Sequence, residues 1–115
     1  MIYRYDGSYP GFLCCVFESF VRKALPLAIE GPETAQLSFF DGRDIPTEAN
    51  KAARVEASLA PALGARAEEL VHYAFLSGKP EKELLSLRFL HMAFARGRGA
   101  AWDYAHPDAA PVLDL

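Results

Sequence analysis

The sequence predicts an α+β domain with four main helices, arranged around a central apolar helix that is the last of them, and a small antiparallel sheet. Three observations predict this class: residues 2–5 alternate like a strand, residues 9–25 carry an apolar stripe at helical spacing, and residues 84–94 are apolar around the whole helix. A chain of 115 residues, 51% of them hydrophobic, suits one domain over 1–115. We expect 1–98 to form its core and 99–115 a tail that includes the start of a further helix, cut short.

The first elements are a strand over 2–5 and a helix over 9–25. Ser8 is the expected N-cap, because its hydroxyl can accept a bond from a free N–H of the first turn. Pro26 ends the helix. Its inward stripe consists of Phe12, Leu13, Val16, Phe17, Phe20, Val21 and Ala24.

A second strand is expected over 27–30, and we expect it to pair with residues 2–5. Residues 36–40 and 43–45 then favour a hairpin, since the dipeptide Asp41-Gly42 is typical of tight turns.

Three helices follow, over about 48–60, 65–77 and 80–96, the last of them opened by Pro80. Thr47 is expected to cap the first of them, and Gly97 to end the last. Since the apolar residues of the last helix surround its axis, we expect the other segments to pack around it.

Charge and cysteine content indicate which ligands and which cellular compartment the chain suits. The net charge of -3 argues against tight non-specific binding to a phosphate backbone, although local basic patches are compatible with it. The two cysteines are adjacent, so they cannot bridge each other without strain, and reduced thiols suit a cytoplasmic protein. No signal peptide and no membrane span is recognisable.

Arg88 and His91 lie three residues apart and therefore share one face of the last helix. If that helix is buried, Arg88 needs a partner, because an unpaired charge in a core is costly. The two interpretations are a structural ion pair and a phosphate or carboxylate clamp at a cleft.

Arg96 and Arg98 flank Gly97 at the end of the same helix. They favour either a helix C-cap or a small nucleic-acid site with Arg88, helped by Trp102 or Tyr104 as a stacking surface. Without DNA affinity, Trp102 and Tyr104 would instead belong to an exposed apolar protein-binding patch.

No complete catalytic site, metal site or cofactor motif is recognisable. A buried Cys14 is usually a small hydrophobe. An enzymatic interpretation would require a cavity that joins His91 or Cys14 to a second titratable group, for instance Arg88 beside His91.

Five segments carry a family resemblance: residues 3–9 (YRYDGSY), 11–18 (GFLCCVFE), 36–40, 74–77 and 83–90. The chain resembles a bacterial family of unknown activity that is assigned to DNA metabolism or DNA repair. That family is associated with a radical SAM protein of DNA modification or repair, and some members are fused to a uracil-DNA-glycosylase-like domain. Members extend well beyond the point that corresponds to Leu115, so the resemblance covers their N-terminal portion.

The resemblance implies a DNA-related role and supplies no catalytic residue. We therefore expect a non-catalytic accessory domain in bacterial DNA repair or modification, which docks the radical SAM partner or positions DNA. A pure protein-interaction module without DNA affinity is the alternative, and an enzyme that uses Arg88 and His91 is a third.

Overall fold

A three-stranded parallel sheet organises the first half of the chain in the computed structural model, which describes residues 1–32 and 42–97. The strands are β1 (Ile2–Arg4), β2 (Ala28–Glu30) and β3 (Gly42–Asp44), in the order β2-β1-β3. Tyr3 stands opposite Ile29 on one side and opposite Arg43 on the other.

The predicted antiparallel sheet is therefore wrong, although the pairing of the first strand with the second is confirmed. The helix α1 (Tyr9–Arg22) lies between the two strands and carries the chain back to the edge where β1 began. A crossover of this kind makes two strands parallel, whereas a hairpin makes them antiparallel. The second arm of the predicted hairpin corresponds to β3, and residues 36–40 lie outside the described residues.

Local sequence explains both ends of α1. Ser8 caps it as predicted, since its Oγ accepts from the Gly11 N–H at 3.0 Å. The helix ends at Arg22, three residues earlier than expected, because Lys23 adopts a left-handed conformation and its N–H turns back to carbonyls of the last turn. The buried side chains of α1 include Phe12, Leu13 and Val16.

Three more helices follow among the described residues: α2 (Ala49–Leu63), α3 (Ala65–Leu76) and α4 (Lys82–Arg96). The first of them extends three residues beyond its predicted end at residue 60 and accommodates Pro61 in its last turn. The chain divides into two compact units, Met1–Glu56 and Ala57–Leu115, and the boundary falls within α2.

In the second unit, α3 and α4 pack against each other. The predicted central position of α4, enclosed on all sides, is not observed, because Arg88, Ala95 and Arg96 are exposed. The buried side of α4 includes Leu87, Phe89, Leu90 and Met92. No helix in the described ranges is both long enough and apolar enough to cross a membrane.

Candidate functional site

Two of the three arginines that the sequence singles out lie on α4. Arg88 and Arg96 both face solvent, and at 1.5 Å of rise per residue they stand about 12 Å apart along the helix. The expectation that Arg88 is buried and therefore needs a core partner is wrong. Because Arg88 is exposed, its charge keeps its hydration.

His91 lies one turn after Arg88 and is half-buried. Burial lowers the pKa of His91 below its ordinary value of 6.5, so the imidazole is neutral at pH 7. His91 therefore adds no positive charge to the two arginines at neutral pH.

The end of α4 supports the predicted role of Gly97. Its φ is 88°, and its N–H donates to the Ala93 carbonyl at 2.7 Å, which completes the last turn. Arg96 occupies that turn, where the helix dipole favours a cation. Arg98, Trp102 and Tyr104 lie outside the described residues.

A second group of polar side chains lies where β1 and β3 end. Asp6 Oδ1 accepts from the Ser8 N–H at 2.9 Å and from the Ser8 hydroxyl at 2.6 Å, and Asp6 Oδ2 accepts from the Thr47 hydroxyl at 2.7 Å. We call Asp6, Ser8, Gly11 and Thr47 the Asp6 network. These bonds to the charged form hold the pKa of Asp6 below its ordinary value of 3.8.

Gly11 belongs to this network although it carries no side chain. A Cβ at this position would collide with Asp6 Oδ1 and would approach Thr47 Oγ1 to 2.9 Å. Only glycine leaves room for the Asp6 carboxylate to reach across the first turn of α1.

A shallow cavity of about 500 Å³ opens beside the Asp6 network, at the carboxyl ends of β1 and β3. Parallel sheets commonly bind ligands at this edge. Both oxygens of the Asp6 carboxylate already accept bonds from within the chain, so this carboxylate is arranged to join two segments. The lining residues are Arg4, Tyr5, Asp6, Asp44, Ile45, Pro46 and Thr47.

Cys14 connects α1 to the start of α2. The Glu48 N–H donates to Cys14 Sγ at 3.3 Å, and the thiol lies 3.4 Å from the Glu48 carbonyl oxygen, which accepts from it. Only 2% of Cys14 is exposed, in agreement with its predicted role as a small buried residue.

A second cavity, of about 160 Å³, brings Cys14 together with Glu18, Arg43, Glu48 and Lys51. Such a cavity is what an enzymatic use of Cys14 would require. Two of its three carboxylates are paired, however: Glu18 contacts Arg43 at 3.1 Å, and Glu48 contacts Lys51 at 2.7 Å. The described residues contain no group of three or more metal-ligating side chains.

The contacts between the Asp6 and Cys14 neighbourhoods and the start of α2 were not anticipated from the sequence. Asp6 and Thr47 are 41 positions apart, and Cys14 and Glu48 are 34 apart. Asp6, Ser8, Gly11 and Cys14 all lie in residues 3–9 and 11–18, the first two of the five segments quoted above, and their contacts join β1 and α1 to the start of α2. Searches against protein-family models, curated proteins and solved structures found no match to this chain.

Proposed function

We propose that this chain is a non-catalytic accessory domain in bacterial DNA repair or modification, which positions DNA or docks a radical SAM partner. The family resemblance supplies the biological context. The observation that carries the DNA-positioning role is the exposure of Arg88 and Arg96 on one helix with no acidic residue between Leu84 and Gly97.

Arginine suits contacts with phosphate, because its planar guanidinium can donate two parallel hydrogen bonds to one group. Arg98 follows Arg96 after a single glycine and would extend the basic side along the chain. With the chain at a net charge of -3, we expect weak binding that is confined to this side of α4.

The non-catalytic part of the proposal is supported by the polar groups of the first unit, because those groups already have partners within the chain. The Asp6 carboxylate, the Cys14 thiol and the Glu18 carboxylate each contact a partner within the chain. These contacts account for the three groups as parts of the fold.

Fluorescence anisotropy with a labelled DNA duplex at several salt concentrations tests the DNA-positioning role. Replacing Arg88, Arg96 and Arg98 by alanine should weaken binding by about tenfold or more at low salt and reduce the salt slope by about 2 to 3. The charge-preserving variant, with lysine at the same three positions, should retain most of the affinity.

Arg66→Ala combined with Lys79→Ala is the matched control, since both residues are exposed in the second unit but lie outside α4. Equal losses of DNA affinity in the control and in the arginine variant would mean that net charge, and not the position of the arginines, determines binding. Unchanged affinity in the arginine variant would mean that α4 does not contact DNA.

A pure protein-interaction module without DNA affinity is the second candidate. It is favoured by six large apolar side chains that are exposed in the described part of the chain. The patch predicted around Trp102 and Tyr104 lies outside the described residues, so these six are a separate observation. Absence of DNA binding even at low salt, together with partner binding that nuclease does not affect, would favour this candidate.

A further inference from the structure

Four of the six exposed large apolar side chains lie at the edge of the sheet where β1 and β2 begin. They are 45–70% exposed, and we call them the apolar edge patch: Met1, Val21, Leu25 and Leu27. A cluster of this kind differs from apolar residues scattered singly over a surface, which need no explanation.

The parallel topology brings these residues together. Met1 and Leu27 precede β1 and β2, and the Leu27 N–H donates to the Met1 carbonyl at 2.7 Å, so the two residues are neighbours. Because α1 is the crossover between these strands, its last turn and the connection to β2 return to the same edge. Val21 and Leu25 arrive there with them.

Val21 lies at the margin of the apolar stripe of α1, half a turn around the helix axis from the buried Phe12. Leu13, near the middle of the stripe, is buried, whereas Val21 is 63% exposed. Val21 therefore presents an apolar side chain to solvent near the end of the helix.

The charge around the patch indicates the chemistry of its partner. Arg22 and Lys23 are exposed next to Val21. Arg22 pairs with Glu18 at 3.2 Å, and Glu18 also pairs with Arg43 at 3.1 Å, so three cations outnumber one carboxylate in this cluster. An apolar centre with a basic rim complements an apolar surface with an acidic rim. A lipid surface fits less well, because stable electrostatic attachment generally needs more cations than two or an amphipathic helix lying in the interface.

We propose that the apolar edge patch docks an amphipathic helix of a partner protein, whose leucine-like side chains cover Val21, Leu25 and Leu27 and whose carboxylates face Arg22 and Lys23. This inference rests on the accessory role proposed above and assigns the protein contact to residues of the first unit, whereas the arginines of α4 belong to the second.

The test uses the full chain and a labelled synthetic helix of about four turns, with leucines at i, i+3, i+4 and i+7 and glutamates on its flanks. Binding is followed by anisotropy and by amide chemical shifts. The glutamate helix should bind at least about tenfold more tightly than the same helix with lysines. Leu27→Asp should weaken its binding by about tenfold, and Lys23→Glu should reverse the preference for charge.

Leu76→Asp is the matched control, because Leu76 is exposed to the same 70% but lies on α3. Equal binding of both helices, or a Leu27→Asp variant that binds like the unaltered chain, would overturn the proposal. Two other results would also overturn it. A dimer that Leu27→Asp abolishes would mean that the patch binds a second copy of the chain. Sedimentation with anionic vesicles that Leu27→Asp abolishes would mean that it binds lipid. Loss of DNA binding with intact helix binding would contradict only the DNA-positioning role.

Discussion

The two edges of the parallel sheet differ in chemistry and in what their side chains contact. At the edge where β1 and β3 end, Asp6, Ser8 and Thr47 bond to one another. At the opposite edge, Leu27 and Val21 are exposed to solvent. The polar edge therefore contributes to holding the first unit together, whereas the apolar edge leaves large apolar side chains exposed to solvent.

The two edges illustrate two roles that a conspicuous group of residues can have, one in holding the fold together and the other in binding a partner. The motif around Asp6 and Gly11 is specific enough to suggest a family, yet its polar groups satisfy one another within the chain. The apolar edge patch carries no recognisable motif, yet its exposure has no structural explanation within the described residues. Substitutions at the polar edge should therefore lower the free energy of unfolding strongly, and substitutions at the apolar edge should lower it only weakly.

Gly11→Ala should produce the largest loss of stability. The new Cβ would occupy the position of Asp6 Oδ1, so either the carboxylate or the first turn of α1 must move. We expect the free energy of unfolding to fall by about 2–3 kcal/mol, despite the better helix propensity of alanine. Denaturant unfolding followed by circular dichroism measures this loss.

Gly78→Ala is the control for this prediction, since nothing lies within 4 Å of a Cβ at that position. It should leave the free energy of unfolding nearly unchanged or raise it slightly. A Gly11→Ala chain as stable as the Gly78→Ala chain would mean that the Asp6 network does not hold the two segments together.

Asp6→Asn should have a smaller effect, of about 1 kcal/mol at pH 7, because an amide retains the shape but accepts weaker hydrogen bonds. The folded state lowers the pKa of Asp6, so this stabilisation is present above the ordinary pKa of 3.8 and is lost as the pH falls through the folded-state value. The stability difference between the two chains should therefore shrink below pH 3.8.

A carboxyl NMR titration of Asp6 checks the same prediction directly. Thr47→Val removes one of the donors to this carboxylate and should bring the pKa of Asp6 part of the way back to its ordinary value. A stability difference that stays constant from pH 7 to pH 2 would contradict the role of the ionised carboxylate.

The sequence predicted those elements that depend on neighbouring residues. The Ser8 cap, the helix that follows it and the glycine that ends α4 all follow from local rules of helix capping. The direction of the strands does not, because strands of three residues carry little information about their partners. The succession of strand, helix and strand was the available signal for the parallel crossover between β1 and β2.

The candidate sites were harder to predict than the fold. Apolar residues surround the axis of α4, so the helix period could not indicate which side faces water, and the exposure of Arg88 followed only from the structure. Similarly, the stripe of α1 predicted a buried Val21, but Val21 lies at the margin of that wide stripe, about 180° around the axis from Phe12, and is exposed. Contacts such as Asp6 with Thr47 require the placement of β3 beside β1.

Leu27→Ala should have the smallest effect on stability, less than about 0.5 kcal/mol, because a side chain that is 70% exposed has little packing to lose. Leu76→Ala, at the same exposure on α3, provides the reference value. A loss above 1 kcal/mol for Leu27→Ala, with none for Leu76→Ala, would mean that Leu27 is covered within the chain in solution. The apolar edge would then resemble the polar edge in serving the fold, and no surface would remain there for a partner. An unchanged stability combined with weaker binding of the acidic helix would separate the two edges, one serving the fold and the other association.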